Sequence, residues 1–144
     1  MVCRIGVITM DMEVFSLFKH FGLAILLGAL MGLERERKET RLAGLRTFIL
    51  VTLFGTLCGQ IAAFPAGRWI VFAGMVAIIV QAAMVHVLRA REELKAGLTT
   101  STALLVAYGI GVLVAEDQTL AAVSLSLATT VVLYFKPQLH EFSR

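Results

Sequence analysis

The sequence predicts an all-α membrane protein, a compact bundle of about five transmembrane helices with its N-terminus outside and its C-terminus cytoplasmic. Three observations lead there. First, 58% of the 144 residues are hydrophobic and the mean hydropathy is +0.86, whereas soluble domains are nearer about 45–50% apolar. The excess needs lipid to cover it. Second, the apolar residues fall into five runs separated by short charged clusters, each run approaching the ~20 residues that a helix needs to cross hydrocarbon. Third, the basic residues are placed asymmetrically. On a five-helix reading, Arg35, Arg37, Lys38, Arg41, Arg46, Arg89, Arg91, Lys95, Lys136 and Arg144 share one side, against Arg4, Lys19 and Arg68 on the other. Lysine and arginine flanking membrane spans are retained in the cytoplasm. A four-helix reading would put the basic tail outside and ranks lower. The whole chain, 1–144, reads as one membrane domain.

The first helix is expected over 14–33, interrupted only by Ser16, Lys19 and His20 near its start. A lysine there can bend its head toward the lipid headgroups. The run stops at Glu34-Arg35-Glu36-Arg37-Lys38-Glu39, which hydrocarbon does not accept cheaply. The second helix is expected over 47–64, with Gly44 before it and the turn signal Pro65-Ala66-Gly67 after it. The third, 69–87, opens on Trp69, a suitable interfacial anchor, and leads into the charged segment 89–95. The fourth, 99–115, and the fifth, 120–135, are short for a crossing, with Pro137 as the stop after the fifth. Cys3 and Cys58 show no disulfide or metal spacing. Residues 1–19 lack an apolar core followed by a small-residue cleavage site, so no cleavable leader is expected.

Small residues recur at four-residue spacing: Ala24, Gly28 and Gly32 on the first helix, Gly55, Gly59 and Ala63 on the second. Such faces let backbones approach closely, either inside the bundle or across a dimer seam, and packing inside the bundle is the stronger reading. Gly44 and Gly97 are assigned to helix packing with them. Glu34 and Arg35 end the first helix at the level where Arg46 and Thr47 open the second, and a Glu34–Arg46 ion pair could pin those ends together. Thr99 and Thr100 open the fourth helix, as caps or as anion-facing donors. Glu34, Arg35, Arg46, Thr47, Thr99 and Thr100 therefore form a candidate contact for a ligand, ion or partner at a cytoplasmic mouth. An exposed, weakly worthwhile loop is the plainer reading. Gln81, mid-span in the third helix, needs a partner, for which a helix interface is the expected place, and His86 reads as interfacial rather than as a ligand. No carboxylate lies in the middle of a span, as a simple magnesium carrier would want. No phosphate loop, nucleophile elbow, zinc pair or catalytic dyad is readable, so no enzyme and no cofactor are expected, and metal ligands stay unassigned. The net charge of +3 comes with no stacking platform or basic groove, which argues against nucleic acid.

Gly-Leu-Glu-Arg-Glu at 32–36, Ala-Gly-Leu-Arg-Thr at 43–47 and Gly-Leu-Thr-Thr at 97–100, in this order and at these distances, resemble the MgtC/SapB membrane domain over about 21–137. The resemblance implies a bacterial inner-membrane protein of about five helices. It also implies a role in magnesium-related ion homeostasis, exerted by regulating other membrane proteins rather than by pumping magnesium. The matched positions are Gly32, Glu34, Arg35, Gly44, Arg46, Thr47, Gly97, Thr99 and Thr100. Two departures stand out. The best-known members carry a glycine-rich third helix, where this chain reads Phe72-Ala73-Gly74-Met75-Val76-Ala77-Ile78-Ile79. They also carry a soluble C-terminal domain, so this chain is more similar to a divergent branch without one. A non-enzymatic regulator, contacting the bilayer, a second copy in a homodimer and another membrane protein, is the leading expectation. A homo-oligomeric channel or transporter for an ion or small solute is the alternative.

Overall fold

Each apolar run becomes a helix because a helix bonds its own backbone, which lipid cannot do for it. The computed structural model describes the backbone of residues 2–36, 44–64, 67–90 and 98–142, and the side chains of 14–36, 44–64, 67–87 and 99–135. The helices are α1 (Val2–Glu36), α2 (Leu45–Ala62), α3 (Arg68–Ala90), α4 (Leu98–Ala115) and α5 (Thr119–Phe142).

Two helices run further than their apolar content suggests. α1 starts at Val2 rather than at 14. The polar residues of its first turns weaken membrane affinity, but nothing in them stops a helix. At 1.5 Å per residue its 35 residues reach about 52 Å, well beyond hydrocarbon. α5 continues through Pro137 to Phe142 rather than stopping at 135, since a proline removes one backbone donor without always ending a helix. The basic residues Arg37, Lys38, Arg41, Arg91, Lys95 and Arg144, the Pro65-Ala66 pair and Gly97 lie outside the described residues, as do the side chains of Arg89 and Lys136.

The spans Val14–Glu36, Leu45–Ala62 and Arg68–Val87 are long and apolar enough to cross a membrane. The described apolar stretches Thr99–Ala115 and Thr119–Phe135 are shorter. α4 nevertheless follows α2 along its length: Gly55 faces Tyr108 and Gly111, and Gly59 faces Val112 and Ala115. The two helices run parallel at the same depth, so α4 crosses wherever α2 does.

α2 and α4 form the middle of the bundle. A Cβ on Gly55 would run into the Tyr108 carbonyl, and one on Gly111 into the Thr52 carbonyl. Thr56 Oγ1 donates to the Gly111 carbonyl at 3.0 Å across the same seam. α1 packs on the other side of α2. Gly28 sits against Thr52, Ile49 and Phe48, and Gly32 against Leu45, while Thr52 Oγ1 donates to the Ala24 carbonyl at 3.0 Å. Phe48, Met31, Ile110 and Val114 are fully buried among these three helices. α5 packs on α4 and α1, and α3 on α2 and α4. Tyr108 ties α3 to α4 by donating from its hydroxyl to the Val71 carbonyl at 2.8 Å.

The outer surface is apolar, as a lipid-facing surface should be. Phe15, Phe18, Leu26, Leu50, Phe72, Leu120 and Val132 are all exposed. α3 is the most peripheral span, with 11% of its window buried against 39% for α2. Trp69 and Phe72 lie with ring centroids 6.1 Å apart at its start. The α4–α5 turn closes with the Gln118 amide on the Leu113 carbonyl at 3.0 Å and the Asp117 amide on that of Val114 at 3.2 Å. This helix-ending motif needs a left-handed residue, and Asp117 supplies it at φ 58°.

Candidate functional site

One end of the bundle carries the last turn of α1 and the first turns of α2 and α4. Ala24, Leu27, Gly28, Met31, Gly32 and Arg35 are all buried. Their spacings of three and four residues put them on one stripe of α1. Arg35 therefore points where the core points, a turn beyond Met31, and only 9% of it is exposed. Its Nε and Nη2 are closed to solvent and, among the described residues, have no hydrogen-bond partner. Leaving a buried donor unmade costs about 1–3 kcal/mol, and more for a charged group. The neighbouring residues behave differently. Arg46 and Glu36 are exposed, Thr47 and Thr99 are half-buried, and Thr100 is buried. Glu34 is half-buried and engaged. Among the described residues, the buried cation at this end is thus Arg35, not the Arg46 expected to pair with Glu34. Which residue goes inward follows from continuing the α1 stripe.

The glycines separate into two groups. Gly28, Gly32, Gly55 and Gly59 each face another helix so closely that a Cβ would overlap it. Gly44 does not belong with them. It is the N-cap of α2 at φ −85° and ψ −178°, with nothing within 4 Å of where a Cβ would be. It accepts the backbone bonds of Thr47 at 3.0 Å and Phe48 at 3.3 Å through its carbonyl. The assignment of Gly44 to helix packing thus gives way to a capping role.

The opposite end holds a polar constellation not anticipated from the sequence. His20 of α1 is 4% exposed. Its Nε2 lies 2.9 Å from Asp117 Oδ1, and its Nδ1 lies 2.9 Å from Gln60 Nε2. The consistent assignment has the Gln60 amide donating to Nδ1 and the ring Nε2–H donating to Asp117. Lys19 approaches Asp117 at 3.9 Å. The hydrogen bond from His20, then the attraction of His20 and Lys19, holds the Asp117 carboxyl below its ordinary pKa. Beside this group a cavity of about 440 Å³ opens between Ser16, Leu17, His20, Gln60, Ile61, Ala63 and Phe64. A histidine, a glutamine and an aspartate widely separated in sequence give no spacing signal. Only the parallel α2–α4 pair, with their ends level, brings them together.

A second cleft of about 430 Å³ lies between α2 and α3, lined by Thr47, Leu50, Val51, Phe54, Ala77, Ile78 and Gln81. Gln81 is exposed on the surface of α3 rather than packed into an interface within the bundle, and His86 is half-buried. The helix-five hydroxyls bond their own backbone: Ser124 to the Leu120 carbonyl at 2.6 Å, Thr129 to that of Leu125 at 2.7 Å and Thr130 to that of Ser126 at 2.8 Å. Among the described residues, no three His, Cys, Asp or Glu side chains gather where they could hold a metal ion.

The MgtC family model matches residues 21–142. This chain belongs to the MgtC family. Together with three membrane-length apolar spans, that makes it a membrane protein. No curated protein and no solved structure matches it. The MgtC match contains the whole Arg35 end, from Gly32 through Thr100, whereas Lys19 and His20 lie just before it begins. The Arg35 end is therefore made only of residues within the shared region of this MgtC-family chain. The His20 constellation joins residues of that region to two outside it, Lys19 and His20.

Proposed function

We propose that this MgtC-family chain is a non-enzymatic regulator of magnesium-related ion homeostasis in a bacterial inner membrane, acting as a homodimer and by helix contact with other membrane proteins. The observation that carries this reading is the outward face of α3. Phe72, Met75, Val76, Ile79, Val80 and Met84 are exposed there, and the Gln81 amide sits among them beside the α2–α3 cleft. An amide surrounded by hydrocarbon gains by bonding across to another helix. Family membership supports the link to ion homeostasis. The uneven distribution of lysine and arginine supports a cytoplasmic Arg35 end and C-terminus.

The engaged hydroxyls add to this reading. Thr52, Thr56, Ser124, Thr129 and Thr130 all donate to backbone carbonyls, which leaves those hydroxyl protons unavailable to line a wet path. A homo-oligomeric channel or transporter is the second reading, favoured by the buried cation Arg35 at the mouth. Two measurements separate them. Val80→Cys protein oxidised in native membranes should give a cross-linked dimer, and monomer alone would remove α3 as the contact. Purified protein in sealed vesicles should move no magnesium, proton or common anion. Flux that collapses in folded Glu34→Gln protein would establish the transporter instead.

A further inference from the structure

We infer that Arg35 is the receptor for a phosphate oxyanion at the Arg35 end of the bundle, a phospholipid headgroup or free phosphate. The argument starts from which nitrogens lack partners. Nε and Nη2 form one edge of the guanidinium, two parallel N–H donors that match two oxygens of a phosphate or carboxylate. Among the described residues, those are the two nitrogens left without an acceptor, and both are sealed from water. A buried cation in that condition is costly unless something anionic completes it.

The position narrows the anion to phosphate. The apolar span that begins at Val14 ends at Glu36, one residue past Arg35. Arg35 thus stands at the hydrocarbon boundary, the depth of lipid phosphates. Of the neighbouring carboxylates among the described residues, Glu34 is engaged and Glu36 is exposed. α4, which contacts α1, begins at this same end, where Thr100 is 8% exposed. The N-terminal end of the α4 dipole adds positive potential there. A dry, bidentate arginine site is strong because no water competes for the anion. It is also specific, because a lysine keeps the charge but loses the fork.

The test uses the full chain, delipidated in neutral detergent, with Arg35→Lys, Arg35→Met and Arg46→Gln as variants. Each is titrated with inorganic phosphate, and each is reconstituted in nanodiscs of phosphatidylglycerol or of phosphatidylcholine. Thermal unfolding and native mass spectrometry give the readout. Wild type and Arg46→Gln should gain stability and retain bound phosphate or lipid, while Arg35→Lys and Arg35→Met bind at least about tenfold more weakly. A response to inorganic phosphate alone identifies a free anion, and a response only to phospholipid identifies a headgroup. Arg35→Lys tests the fork separately from the charge, and Arg35→Met keeps a packed side chain should the lysine variant fold poorly. Folded wild type and Arg35→Met responding alike to phosphate and to both lipids would overturn the proposal.

Discussion

Among the described residues, the two ends of the bundle each bury one nitrogen-rich side chain, His20 and Arg35, and they treat it in opposite ways. His20 is enclosed with a partner on each ring nitrogen, Gln60 on one and Asp117 on the other. Arg35 is enclosed with its Nε–Nη2 edge bare. Burial alone therefore does not distinguish structure from function. The distinguishing feature is whether the hydrogen-bonding capacity of the buried group is used up within the chain. A completed group joins helices: His20 ties α1 to α2 and to the α4–α5 turn. An incomplete one spends folding free energy to hold donors ready for something else.

The largest test of that contrast is at the completed end. His20→Ala removes a buried ring and leaves Gln60 and Asp117 without it. The lost packing and hydrogen bonds together should cost about 2–3 kcal/mol, read as lowered thermal or denaturant stability of the purified protein. A cost under about 0.5 kcal/mol would mean that the constellation is not a structural tie, and the contrast between the ends would fail.

The bare end should respond with the opposite sign. In delipidated, phosphate-free protein, Arg35→Met replaces an uncompensated cation with an apolar side chain of similar length. Such replacements are neutral or stabilising by about 1–4 kcal/mol, whereas breaking a formed buried pair costs about 3–5 kcal/mol. Unfolding should show the variant level with wild type or about 1 kcal/mol more stable. A loss of several kcal/mol would place a partner on Arg35 within the chain.

How much of this could be read from residues follows from the range of each interaction. The helices were legible because apolar runs and charged breaks are local. So were the close faces at Gly28, Gly32, Gly55 and Gly59, which follow a four-residue period along single helices. The same periodicity, continued from Ala24 through Met31, would have singled out Arg35 over Arg46 as the inward cation. The helix limits were less legible, because apolar content reports where lipid begins and not where backbone bonding stops, as Val2 and Phe142 show. Gly44 misled because a capping glycine and a packing glycine look alike in a sequence. The His20 constellation was out of reach, since His20 and Asp117 stand 97 residues apart and meet only through the relative placement of the helices.

The smallest effect comes from charge at the His20 end, and its sign is fixed by Asp117. The carboxyl is held below its ordinary pKa, mainly by the hydrogen bond from His20. A depressed carboxyl contributes stability that is fully present above its unfolded value, about 3.9, and that is lost as pH falls through the lower folded value. Wild type should therefore lose this contribution only below about pH 4. Asp117→Asn keeps an acceptor for the His20 Nε2–H and a residue type that tolerates the left-handed backbone, but it cannot titrate. Its unfolding midpoint should lie slightly below that of wild type at neutral pH, and the two should converge in acid. The side chain of Asp117 is 68% exposed, so solvent screening keeps the difference small and added salt should shrink it further. A gap that instead widened as the pH fell would have the wrong sign for a depressed carboxyl and would remove Asp117 as the source of the contribution.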